Sequence, residues 1–108
     1  MSQYQIVLTT LDSEDLARQI SQTLVENRLA ACVQVIGPIS STYRWKGSVQ
    51  TDSEWLCLIK TRQNLFTDVE KAIVEMHPYE VPEIVSLAIG QGSEKYLAWM
   101  DEELRKET

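Results

Sequence analysis

The sequence predicts an α+β fold: a four-stranded antiparallel sheet with two helices on one face and a further helix at the C-terminus. Three observations predict it. Extended and helical patterns follow one another as strand, helix, strand, strand, helix, strand, the order of a split βαβ unit used twice. The run Trp55-Leu56-Cys57-Leu58-Ile59 is continuously apolar, as a strand buried on both faces must be. Lys46-Gly47 separates two long extended stretches, so the middle of the chain folds into a hairpin too long for a domain of this size.

Each element has its own warrant. Tyr4 to Thr10 is rich in β-formers and sets Ile6 and Leu8 on one face against Val7 and Thr9 on the other. Asp12-Ser13-Glu14-Asp15 then crowds acceptors and negative charge where a helix N-terminus needs them. Leu16, Ile20 and Leu24 carry an amphipathic helix on to Asn27-Arg28. From Ala31 to Trp45 the residues are β-branched, aromatic or small, broken at Gly37-Pro38, where a proline demands an edge position or a bulge. The second arm of the hairpin runs from Val49 through Ile59. Leu65, Val69, Ala72, Ile73 and Met76 restore helical spacing until Pro78, which also pushes His77 toward an extended backbone. Ile84 to Ile89 forms the last strand, and Ser93 caps a helix that carries Tyr96, Leu97, Met100 and Leu104 on one face. The right-handed crossover preference leaves the ferredoxin-like β-α-β-β-α-β plan, one domain over residues 1–108, with the first and third strands central.

Composition excludes several functions. The chain has 10 Lys and Arg against 16 Asp and Glu, a formal charge of -6, which repels phosphate backbones and argues against nucleic acid. The longest uncharged stretch, Leu29 to Tyr43, contains Gln34, Gly37 and Pro38 and falls short of the roughly 20 apolar residues that cross a bilayer. Two cysteines do not make a secreted disulfide scaffold, so a cytoplasmic location is the expectation. With Lys46-Gly47 as a two-residue turn, Cys57 lies opposite Ile36, about 13 Å along the strand from Cys32. That separation rules out a bridge between them. There is no glycine-rich phosphate loop, no Gly-x-Ser-x-Gly and no pair of histidines at helical spacing, and with one histidine no nucleophile–base pair is visible. A non-enzymatic protein is the expectation.

Chemistry concentrates in His77-Pro78-Tyr79-Glu80-Val81-Pro82-Glu83. Two prolines stiffen a short connection that presents an imidazole, a phenol and two carboxylates. His77 reads two ways: as a residue that hydrogen-bonds the end of the preceding helix, or as a ligand or proton carrier. Lys60, at the end of the apolar strand, either reaches solvent or pairs with Glu80 or Glu83. Trp45, near Tyr43 and Arg44 at the hairpin tip, lies too far from its own core to be buried there. It is expected to pack on a neighbouring chain.

Five segments together carry a resemblance: Leu29-Ala30-Ala31-Cys32-Val33, Tyr43-Arg44-Trp45-Lys46-Gly47, Ile59-Lys60-Thr61-Arg62, His77 through Ile84, and Tyr96-Leu97-x-Trp99. In order and spacing the set resembles the CutA family of divalent-cation tolerance proteins over nearly the whole chain. The resemblance implies a homotrimer whose long hairpins join sheets between subunits, with Tyr43 and Trp45 at the interface. It also implies a role in tolerance to copper and other divalent cations. The copper ligands proposed in some members, a thiol and two adjacent histidines, fall on Thr9, Met76 and His77, of which His77 alone suits Cu(II). The expected metal site is therefore His77 with Glu80 and Glu83. The trimer also resembles that of the PII signalling proteins. This gives the alternative reading, a sensor that binds a small anionic ligand between subunits through Lys60, Arg44, Tyr79 and Cys32.

Overall fold

The computed structural model describes residues 3–106. Strand β1 (Tyr4–Leu11) leads into helix α1 (Glu14–Glu26), then the hairpin strands β2 (Cys32–Trp45) and β3 (Ser48–Arg62). A 3₁₀ turn over Gln63–Leu65 enters α2 (Phe66–Met76), followed by β4 (Val85–Ala88) and α3 (Glu94–Glu103). The strands form one antiparallel sheet in the order β2-β3-β1-β4, so the first and third strands are central, as the pattern requires. The last strand is shorter than expected: Ile84 and Ile89 lie outside β4, although the Ile89 N–H still donates to the Tyr4 carbonyl of β1 at 3.0 Å.

Local chemistry sets the boundaries. The Ser13 hydroxyl accepts a hydrogen bond from the Leu16 N–H at 3.2 Å, and the Ser93 hydroxyl accepts one from the Tyr96 N–H at 3.2 Å; each satisfies a free donor of a first turn. Helix α1 stops as Arg28 turns to φ 58°. At the hairpin tip both central residues have positive φ, Lys46 at 50° and Gly47 at 85°. That is a type I′ turn, whose twist matches the strands it joins. It places a lysine, and not glycine alone, in the left-handed region.

The hairpin register slips once, at Gly37-Pro38, where the peptide bond is cis. A Cβ on Gly37 would lie 2.3 Å from Cδ1 of Trp55, so the indole can cross the bulge because that side chain is missing. The slip corrects the expected pairing: Cys57 faces Val35, and not Ile36, while Cys32 faces Lys60. Three residues, about 10 Å along a strand, separate the sulfur positions, and both thiols are free.

The two faces of the sheet differ. On the first, Val7, Leu11, Cys57 and Ile59 are fully buried with Ala17, Ile20 and Leu24 of α1 and Val69 and Ile73 of α2. Alternation along the strands puts Ile6, Leu8, Ile36, Leu56, Leu58, Val85 and Leu87 on the second face. There Ile36 is 48%, Val85 48% and Leu87 56% exposed. Helix α3 closes only one end of that face. The Tyr4 hydroxyl donates to Asp101 at 2.6 Å, Arg62 pairs with the same carboxylate at 3.2 Å, and Met100 and Leu104 are buried. Beyond the other end the hairpin projects, and residues 42–53 are all exposed.

Candidate functional site

The segment after α2 is held by its histidine. Pro78 cannot continue the helix, and His77 takes the extended backbone that precedes a proline, φ -81° and ψ 132°. His77 is 9% exposed. Nε2 lies 2.7 Å from the Thr10 carbonyl, and Nδ1 lies 3.2 Å from the Tyr79 N–H. A carbonyl only accepts and an amide N–H only donates, so the imidazole is the neutral tautomer with its proton on Nε2. The Tyr79 ring meets the imidazole edge-on at 4.5 Å, and its hydroxyl donates to Oε2 of Glu54 at 2.8 Å. Burial and then the Glu54 carboxylate push the Tyr79 phenol well above its usual range. One side chain thus ties the segment to β1, and the next ties it to β3.

Between this segment and the hairpin lies a cleft of about 590 Å³, walled by Tyr43, Trp45 and Tyr79 and bordered by Glu54, Glu80 and Glu83. Thr10, Ser41, Thr42 and Val81 complete the lining. Among the described residues its lining includes three carboxylates and no lysine or arginine. The Tyr43 hydroxyl is fixed by a hydrogen bond to Asp52, which raises its pKa. The Lys46 ammonium sits 5.6 Å from the centre of the Trp45 ring.

Of the residues singled out in the sequence, Tyr43, Trp45, Tyr79, Glu80 and Glu83 share this cleft. His77 supports it from behind, with both ring nitrogens engaged. Arg44 alternates with Tyr43 and Trp45 and pairs across the hairpin with Val49, which puts it on the opposite side of the ribbon. Lys60 and Cys32 face each other at the far end of the second face, where the Lys60 ammonium lies 5.4 Å from the Tyr96 ring. Six residues of β3, about 20 Å, separate Lys60 from Glu54. One chain therefore does not bring Lys60, Cys32 and Arg44 to Tyr79; those groups meet only if they come from different copies.

Sequence reasoning passed over Glu54, although a signal was present. It shares the alternation of Leu56 and Leu58, so it is a carboxylate on an apolar strand face. It is 7% exposed. The described residues of one chain do not make a closed site for a divalent ion. Among the described residues no three His, Cys, Asp or Glu side chains converge on one point, and His77 has no nitrogen to spare. Thr9 is fully buried, and its hydroxyl has no partner among the described residues. A second groove of about 390 Å³ runs between α1 and β2, where Arg18 is already paired with Glu14 at 2.8 Å.

The comparisons with known proteins agree with this architecture. The family model described as CutA1 divalent ion tolerance protein matches residues 5–103. The chain is 46% identical over 98 residues to a divalent-cation tolerance protein CutA of Thermus thermophilus, covering 91% of this chain and 95% of that one. It is 43% identical over 91 residues to protein CutA of Homo sapiens, where the match spans 84% of this chain and 51% of the relative. A solved Thermus thermophilus structure superimposes with a TM-score of 0.92 at 44% identity, covering 94% and 99% of the two chains. CutA1 of Oryza sativa does so at 0.94 and 34%, covering 98% and 97%. Sequence match and superposition extend across the sheet, the hairpin and the segment that carries the cleft, and the chain belongs to the CutA1 divalent ion tolerance protein family.

Proposed function

We propose that the protein acts as a homotrimeric, non-catalytic binding module in the cell's response to divalent cations, copper among them. The observation that carries this reading is the second face of the sheet. Ile36, Val85 and Leu87 stand about half exposed beside Ile6, Leu8, Leu56 and Leu58 on a surface that α1 and α2 leave uncovered. Covering each of the exposed three contributes about 1 kcal/mol, and a contiguous patch of this kind is characteristic of an interface between chains. The continuous apolar run in β3 makes sense only when that face is covered as well. Three copies is the count that the family resemblance implies, with Tyr43 and Trp45 of each hairpin reaching a neighbour.

In this reading the cation is met at the mouth of the cleft by Glu80 and Glu83, with the remaining ligands supplied by a neighbouring copy. His77 holds the segment that presents them. The protein works in the cytoplasm, although relatives carry the words chloroplastic and periplasmic in their names. Titration with Cu(II) and Zn(II) tests the reading. Saturable binding that is lost in the double variant Glu80→Gln, Glu83→Gln while the native mass is kept supports it. Binding that survives those changes, or no binding tighter than about 1 mM, overturns it.

A further inference from the structure

We propose that the aromatic pair Tyr96 and Trp99 on α3 is the docking surface for the hairpin tip of a second copy, so that Trp45 of each chain rests on α3 of the next. The proposal rests on the trimer reading above and deepens it by naming the surface that receives the tip; it needs no bound metal. Tyr96 and Trp99 are neighbours on the helix surface, with ring centres 5.5 Å apart and planes tilted by 36°. They remain 37% and 40% exposed, while Met100 and Leu104 turn into the chain's own core. The Lys60 ammonium lies 5.4 Å from the Tyr96 ring, which sets the pair at the Lys60 end of the second face.

The hairpin carries the same face outward at the other end. Beyond the bulge Ile39 pairs with Glu54, Tyr43 with Gln50 and Trp45 with Ser48. Alternation therefore puts Tyr43 and Trp45 on the side of the ribbon that continues Leu56 and Leu58. Both wall the cleft, yet 42% and 37% of their surfaces stay exposed. One apolar face thus begins at an aromatic helix and ends at an aromatic tip, in a molecule 44 Å long. Two different surfaces that fit each other join copies head to tail, and such a contact closes into a ring when the rotation permits. Charge selects the same pairing. Arg44 and Lys46 flank Trp45, and no acidic residue lies between Tyr43 and Thr51, so two tips repel. Helix α3 carries Glu94, Asp101, Glu102 and Glu103 against Lys95. Opposite signs steer the tip to α3, and contact between aromatic rings adds to the area that they bury.

Crosslinking of the full chain with a short bismaleimide tests this. Cys32→Ala removes the half-buried thiol, and Cys57 stays because it is fully buried. Ser48→Cys marks the tip and Glu102→Cys marks the helix, so all the aromatic rings are kept. The doubly marked protein is expected to give covalent dimers and trimers on a denaturing gel, and either mark alone only single chains. The two marks lie at opposite ends of one copy, so a bridge between them joins different copies. Adding Trp45→Ala or Trp99→Ala should slow crosslinking at least tenfold; if either variant fails to fold, the marked chain with its indoles intact still decides. Crosslinking of a singly marked chain means that like surfaces meet, and overturns the proposal. An oligomer that stays uncrosslinked with both marks, or whose crosslinking ignores both tryptophan substitutions, overturns it and leaves the trimer reading in place. A parent that is a single chain by native mass sinks both.

Discussion

Tyr79→Phe removes one oxygen and should remove the main tie between the cleft segment and β3. The hydroxyl donates at 2.8 Å to Oε2 of Glu54, a residue that is 7% exposed. A hydrogen bond to a charged group is worth about 1.5–3 kcal/mol, and here the loss also strips Glu54 of its donor. We expect unfolding at pH 7 to become easier by about 2 kcal/mol, read from urea midpoints at fixed protein concentration, because assembly would otherwise shift them. The alkaline limb gives an independent reading. Burial and the Glu54 carboxylate raise the phenol above its unfolded value near 10, so between that value and the folded one the native state holds a proton that the unfolded state releases. Stability from this group is therefore complete below pH 10 and falls above it, by at most about 1.4 kcal/mol per pH unit. The Phe variant should lack that slope. A change below about 0.5 kcal/mol at pH 7, or alkaline limbs that superimpose, would refute the claim that Tyr79 fastens the segment through Glu54.

Three further outcomes follow from named contacts. Gly37→Ala should destabilise by about 1–3 kcal/mol and shift tryptophan fluorescence, because its methyl group would meet Trp55 at 2.3 Å; an unchanged melting curve and spectrum would count against the bulge packing. His77→Ala leaves the buried Thr10 carbonyl without its donor and should cost about 1–3 kcal/mol. Amide exchange over residues 78–83 should also quicken, and unaltered exchange there would deny His77 its role in holding the segment. Electrophoretic mobility of the parent should be the same with and without reductant, since Cys32 and Cys57 are free and about three strand positions apart; a reductant-sensitive parent would contradict the register.

Most of the fold was legible because its signals are local. Ser13 and Ser93 cap helices where they were expected to, Pro78 stops α2, and Lys46-Gly47 sets a hairpin whose register holds as far as the bulge. The one-residue slip at Gly37-Pro38 was not legible in detail, because it depends on Trp55 lying across the glycine from the other strand. The site was legible only in part. The string from His77 to Glu83 reads equally as a site and as a stiff connection, and composition alone does not show that both imidazole nitrogens are spent internally. Glu54 went unnoticed because its importance arises from burial under Tyr79, a residue 25 positions away. Lys60, Tyr79 and Arg44 look like one cleft in the sequence. Strand alternation and length separate them within a single chain.

The account stands on the second face of the sheet being covered by sister copies. Native mass measured on dilute protein tests that directly: three chains per particle are expected, and they should dissociate when Leu87→Glu places a charge among Ile6, Leu8 and Val85. A stable, compact single chain whose Ile36, Val85 and Leu87 remain open to solvent would contradict it.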